Sequence, residues 1–247
     1  MRKNMRGLGT IINTVGIILA GIIGSFLGNT FKPKLQDSLT KACGISVMFM
    51  GIAGAAEVMM TVENGALSSG KSMLIVLSLT IGMLIGELIG IEDGLERFGE
   101  WLKRKTRSTG DSSFVNAFMT ASLTVSIGAM AIVGAMTDAL TGDWSILAVK
   151  TVLDFIMVMV LTASMGKGAA FSAIPVLVIE GGFTLLARLL DPIMTETALA
   201  YLSLTGSILI FCIGINLVWG KMIRTANMLP SLVLSVVAAF IPWSVLH

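Results

Sequence analysis

The chain has 247 residues, of which 55% are apolar and only 13% charged, with a mean hydropathy of +0.89. Soluble proteins carry about 25% charged residues, so an ordinary soluble fold with a solvated surface is excluded. The net charge of +2 offers no basis for nucleic-acid binding, and two cysteines with one histidine, His247, cannot assemble a zinc or haem centre.

About 20 apolar residues cross a bilayer. Eight such windows occur, predicting an all-α polytopic helix bundle in which residues 1–247 form a single membrane domain. The first, 8–29, follows Arg2, Lys3 and Arg6; it is too long for a secretory signal and lacks a small-x-small cleavage site, so it reads as a retained span. It carries Asn13 and the small residues Gly16, Ala20, Gly24 and Gly28. The second, 42–61, holds Cys43 and Glu57, and the third, 71–91, holds Gly82, Gly86, Glu87 and Gly90. Between spans three and four, the basic loop 92–112 has Leu95, Phe98, Trp101 and Leu102 at helical spacing, predicting a short amphipathic helix at the membrane surface.

The fourth window, 113–137, is long, and Gly128, Gly134 and Thr137-Asp138 are positions where it can break. The fifth, 145–165, and sixth, 169–189, are separated only by Gly166–Gly168, so seven spans is the alternative count. Pro175 is expected to kink the sixth span and free the Phe171 carbonyl. The seventh, 198–219, contains Cys212 and Asn216, and the eighth, 226–246, contains Ser231, Ser235 and Ala239. Both cysteines read as small core hydrophobes. The recurring small residues let helix backbones approach closely; a seam with a second subunit is the other use of such ladders.

With eight spans, one set of loops carries eleven basic residues, and the other side carries six, Lys150 of span five among them. The positive-inside tendency makes the richer set cytoplasmic, with both termini outside; Arg2, Lys3 and Arg6 argue the other way. Two short segments, 123–131 (LTVSIGAMA) and 161–169 (LTASMGKGA), share the pattern L-T-x-S-x-G-x-x-A. A fainter similarity relates spans one to three to spans six to eight, as inverted copies of the kind found in secondary transporters.

No Walker loop, HExxH, GxSxG or CxxC occurs, so neither an enzyme nor a cofactor or metal site is expected. Charged and polar groups inside the spans are the candidates instead, because burying them in lipid is costly. Asp138 reads either as an interfacial residue or as a cation or proton site beside a broken helix. Lys150 and Asp154 are four apart and share a helix face, serving as a structural pair or as part of a polar pathway. Lys167, between Gly166 and Gly168, reads as a cytoplasmic turn or, if the backbone unwinds, as an anion site. Glu180 needs a partner or water. Asn13 and Asn216 are expected to hydrogen-bond across helices, and Ser126 and Gly128 lie at the suspected break.

Several segments together resemble one family: GTIINTVGIILAG (Gly9–Gly21), SIGAMAIVGAMTDALTGD (Ser126–Asp143), KTVLDF (Lys150–Phe155), SMGKGAAFSAIPVLVIEGGFTLLA (Ser164–Ala187), IGINL (Ile213–Leu217) and ANMLPSLVL (Ala226–Leu234). They are similar to the YdfK/YqgA-type family of bacterial inner-membrane proteins, a domain of unknown function. The family's usual Gln-Gly stands here as Glu180-Gly181. The resemblance covers essentially the whole chain and implies a bacterial plasma membrane, but no substrate. The architecture favours a small secondary transporter, coupled to an ion or proton, for an unidentified solute. An oligomeric channel and a non-transporting scaffold or regulator are the alternatives. Partners are membrane lipid, the ion or solute, and in the channel reading further copies of the chain.

Overall fold

The structure, a computed structural model, describes residues 6–63, 66–127 and 129–241. Gly128 and His247, both singled out above, lie outside the described residues. The helices are α1 (Leu8–Thr30), α2 (Pro33–Met59), α3 (Ser72–Ile89), α4 (Ile91–Lys105), α5 (Phe114–Ser126), α6 (Ala129–Thr141), α7 (Ser145–Met165), α8 (Ala173–Leu190), α9 (Glu196–Trp219) and α10 (Pro230–Ala238). Six stretches are long and apolar enough to cross a membrane, namely α1, α2, α3, α7, α9 and the continuous run Lys167–Leu190 that contains α8.

The outer surface fits lipid rather than water. Phe26 is 73% exposed, Leu88 79% and Leu185 85%. Such a belt cannot be left in water by a stable monomer, whereas a bilayer covers it.

Close helix approaches fix the arrangement. Along α1, Gly9, Gly16, Gly24 and Gly28 face Leu147, Thr151, Thr162 and Ala163 of α7 in turn, so the two helices run parallel. Ile17 and Ala20 are fully buried on this side of α1. Helix α2 packs antiparallel to α9, with Gly44 against Leu217 and Gly51 against Ser207 and Phe211. Helix α3 lies antiparallel to the Thr225–Ala238 segment: a methyl on Gly86 would fall 1.8 Å from the Asn227 carbonyl oxygen, and Gly82 sits against Ser231. These ladders are thus occupied within one chain. Gly90 does not extend the α3 ladder; its φ of 70° makes it the corner between α3 and α4, a left-handed conformation that glycine adopts without strain.

The fourth predicted span is two helices, α5 and α6, inclined at 58° to each other. The repeated LTxSxG segments explain part of this. In each copy the Leu-Thr-x-Ser piece ends a helix: α5 stops at Ser126, and α7 stops one residue after Ser164, where Gly166 turns at φ 114°. The motif is therefore a helix terminator.

Four details differ from expectation. Helix α2 starts at Pro33, well before residue 42, because proline at the first helical position has its φ already set and lacks an N–H that would be unbonded there. Residues Met60–Glu63 and Ala66–Ser69 form an antiparallel hairpin that the apolar pattern did not reveal. Pro175 kinks nothing: it stands in the first turn of α8, after a tighter 3-10 turn at Lys167–Ser172, where its missing N–H removes no α8 bond. Up to residue 241, where the described part of the eighth window ends, it forms a 3-10 turn at Thr225–Met228 followed by the short α10.

Helix α4 is amphipathic, and its apolar side packs on the protein. Leu102 is buried with Phe114, Phe118 and Met119 of α5, Leu95 packs beside them, and Phe98 stacks on Trp101 at 5.7 Å. Trp101 remains about half exposed.

Candidate functional site

Four side chains from three helices meet in the protein interior. Helix α1 supplies Asn13, α7 supplies Lys150 and Asp154 one turn apart, and α8 supplies Glu180. Asn13 is 0% exposed, Glu180 1%, Lys150 6% and Asp154 7%. The Asn13 amide donates to Glu180 Oε1 at 2.8 Å and to Asp154 Oδ2 at 3.0 Å, so one NH2 group bridges two carboxylates. The Lys150 ammonium is bonded to Asp154 Oδ2 and lies 3.5 Å from Glu180 Oε1.

A further Lys150 N–H goes to the main chain. Nζ donates to the Val125 carbonyl at 2.7 Å, in the last turn of α5. Carbonyls in a final turn have no intrahelical partner, and a bare carbonyl in a lipid-embedded interior costs several kcal/mol. The lysine therefore satisfies backbone freed by the break. The ionised cluster would hold one ammonium against two carboxylates.

Two atoms of the cluster, and several on elements around it, are buried without a hydrogen-bond partner. They include Glu180 Oε2, Asn13 Oδ1, Ser122 Oγ, Ser126 Oγ, Thr162 Oγ1 and Ser172 Oγ. Ser122 and Ser126 line a largely apolar cavity of about 350 Å³, together with Ile127, Pro175, Ile179 and Phe183. Leu123 lines both this chamber and a more polar hollow of about 400 Å³. That second hollow opens among Glu92, Glu96 and Glu100 of α4, Asn116 and Thr120 of α5, and Asn216 and Lys221.

Asp138 is not part of the cluster of four. It is 0% exposed, and its Oδ2 accepts from the Gly9 N–H at 2.7 Å. Gly7, which precedes α1, has no side chain with which to cap it, and Asp138 from α6 supplies the acceptor that the first turn lacks. Asn216 is consumed by the turn after α9: its Oδ1 accepts from Met222 and Ile223 N–H, and its Nδ2 donates to the Ile223 carbonyl. Lys167 is exposed at the start of the 3-10 turn, and the adjacent Gly166 faces Asp111, a carboxylate that opposes an anion site. Glu57 is exposed.

The sequence reading missed a second polar network where α3, α4 and the loop after α9 meet. Glu92 is 2% exposed and paired with Lys221 at 2.8 Å. Lys221 also bonds Glu96, while Arg224 pairs with Glu87 at 2.8 Å and bonds Asp93. Asn227, fully buried, accepts the Glu92 N–H at 2.7 Å and caps α4. Burial works against the Lys221 ammonium, but the bonds and charges of Glu92 and Glu96 outweigh it and hold the group above the usual lysine range. Among the described residues, no three His, Cys, Asp or Glu side chains form a group that could hold a metal ion.

Apolar spans, a lipid-fitted surface and a buried charged centre at a helix break define a polytopic α-helical membrane protein. The chain belongs to the family described as "Protein of unknown function (DUF554)", whose pattern matches residues 8–240. It is 30% identical to the uncharacterized membrane protein YdfK of Bacillus subtilis (strain 168) over 233 residues, covering 94% of this chain and 96% of that protein. It is 27% identical to the uncharacterized protein YqgA of Escherichia coli (strain K12) over 242 residues, covering 96% and 98%. No solved structure matches.

Proposed function

We propose that the protein is a small secondary transporter of the bacterial inner membrane, crossing the bilayer eight times with both termini outside the cytoplasm. The observation that carries this reading is the Asn13–Lys150–Asp154–Glu180 cluster, tied to the Val125 carbonyl at a helix break. Ionisable groups held inside spans mark ion and substrate pathways, and broken helices with unwound backbone are how secondary transporters build their binding sites.

The packing directions support the span count, with α5 and α6 making one bent crossing. The pairs α1/α8, α2/α9 and α3/α10 are each antiparallel. That is the relation expected if spans one to three and six to eight are inverted copies. The two hollows meeting at Leu123 offer a route from the α4 side to Ser126 at the break. The ladders that motivated a pore between subunits are filled within the chain, which removes the reason for preferring a channel.

The test is flux into proteoliposomes holding the full chain and a trapped pH-sensitive dye, challenged with amino acids, sugars, organic anions and organic cations. Saturable solute-driven flux is expected, and it is lost in Asp154→Asn and Glu180→Gln protein that still inserts. Undiminished flux in both variants rejects the reading, and turnover far above ~10³ per second replaces it with a channel, since alternating-access steps take μs to ms or longer.

A further inference from the structure

We infer that Glu180 carries one exchangeable proton, and that this proton is the ion the buried centre takes up and releases. Its role as a coupling ion rests on the transporter reading; its residence on Glu180 does not.

The argument begins with charge and donors. Ionised throughout, the centre holds Lys150 against Asp154 and Glu180, leaving one negative charge in a space almost closed to water. An unbalanced buried charge is costly. Lys150 does not share itself evenly: it is bonded to Asp154 but stays 3.5 Å from Glu180 Oε1, so the negative charge sits on Asp154. Both Asn13 N–H groups are already spent on the two carboxylates. What remains is two acceptors with no donor, Glu180 Oε2 and Asn13 Oδ1. A proton on Glu180 Oε2 supplies a donor there and brings the centre to neutrality.

The other charged groups around Glu180 leave this balance unchanged. Helix α1 faces it with the uncharged Asn13. Helix α6 contributes Asp138, which is turned to the Gly9 amide. On the α8 segment itself, Lys167 and Arg188 are exposed. A metal cation at Oε2 would be repelled by the Lys150 ammonium close to Oε1, whereas a proton adds no separate charge centre.

Release has a structural consequence. The proton leaves Oε2 for water, and the new carboxylate competes with Asp154 and the Val125 carbonyl for Lys150. Drawing Nζ toward Glu180 uncovers that carbonyl at the α5 break. The proton thus becomes linked to the bent α5–α6 crossing, with only an acid–base step and no change of oxidation state.

Infrared difference spectroscopy of the full chain in lipid, stepped between neutral and alkaline pH, reads this proton directly. A protonated-carboxyl carbonyl band is expected to bleach on the alkaline step. It shifts when the protein is made with isotopically labelled glutamate but not with labelled aspartate, which needs no variant at all. It is missing in Glu180→Gln and retained in Glu92→Gln. The inference is overturned if no glutamate-derived band bleaches, if the band survives in Glu180→Gln, or if added sodium at fixed pH evokes the same change. No solute is present, so an intact band with no flux rejects the transporter reading alone, and solute flux without the band rejects the proton alone.

Discussion

Asn13 Nδ2 lies 2.8 Å from Glu180 Oε1 and is the only direct hydrogen bond between α1 and the carboxylate of α8 among the described residues. The same amide reaches Asp154 on α7, so a neutral side chain on the first span holds two acidic side chains of later spans in one place. Removing charge and removing this bridge are therefore different perturbations.

Lys150 is the sole cation within the cluster. Lys150→Met should leave two carboxylates and the Val125 carbonyl without it, and breaking a buried pair from one side costs about 3–5 kcal/mol. Thermal unfolding in detergent should show a large loss. Restoring balance with Lys150→Met, Asp154→Leu and Glu180→Gln together should recover most of it. A single Lys150→Met variant as stable as the parent contradicts the assigned contacts.

Asp138 caps α1 from a distance. Asp138→Ala should cost about 0.5–2 kcal/mol, the usual loss for a helix cap, while Asp138→Asn keeps an acceptor for Gly9 and should cost less. Thermal stability and amide exchange at the start of α1 report both effects.

Gly86 and Gly94 make opposite predictions from the same substitution. Alanine at Gly86 meets the Asn227 carbonyl at 1.8 Å, while alanine at Gly94 meets nothing within 4 Å. Gly86→Ala should destabilise by about 1–3 kcal/mol or more, as overpacking does. Gly94→Ala should stabilise by up to ~1 kcal/mol through helix propensity alone. Paired melting curves decide both.

Lys221 links α4 to the loop after α9 through Glu92 and Glu96. Its ammonium is favoured in the folded state and held above the usual lysine range. Its contribution is therefore full below that range and lost as pH rises through the folded value. With the lysine side chain 44% exposed, the effect is small, about 0–1 kcal/mol. The melting difference between wild type and Lys221→Gln should be flat across neutral pH, shrink in high salt, and vanish in alkali.

Much of this fold is legible because lipid permits few solutions. Long apolar windows must become helices, and Lys150 and Asp154 had to share a face at four-residue spacing. The terminators at Ser126 and Met165 were visible as a repeated LTxSxG string, although the string alone did not say that it ends helices. The Asn13–Glu180 bridge was less accessible, since it joins residues 167 positions apart. Asp138 read either as an interfacial residue or as an ion site beside a break; the cap it makes for Gly9 left no local signal, because the two are 129 positions apart. The Asn227 cap on Glu92 left no local signal because donor and acceptor are 135 residues apart. The Met60–Ser69 hairpin was hidden because four-residue strands carry too short an alternation to read.

The central claim is the proposed transporter role, which requires the chamber at the helix break to open in turn to each side of the membrane. Ser126→Cys, in a chain whose Cys43 and Cys212 are replaced by alanine, places one thiol in the chamber beside that break. A membrane-impermeant thiol reagent applied to each face of sealed, oriented vesicles should label it from both sides. Labelling from one side only, or from neither while a permeant reagent still reacts, contradicts the account.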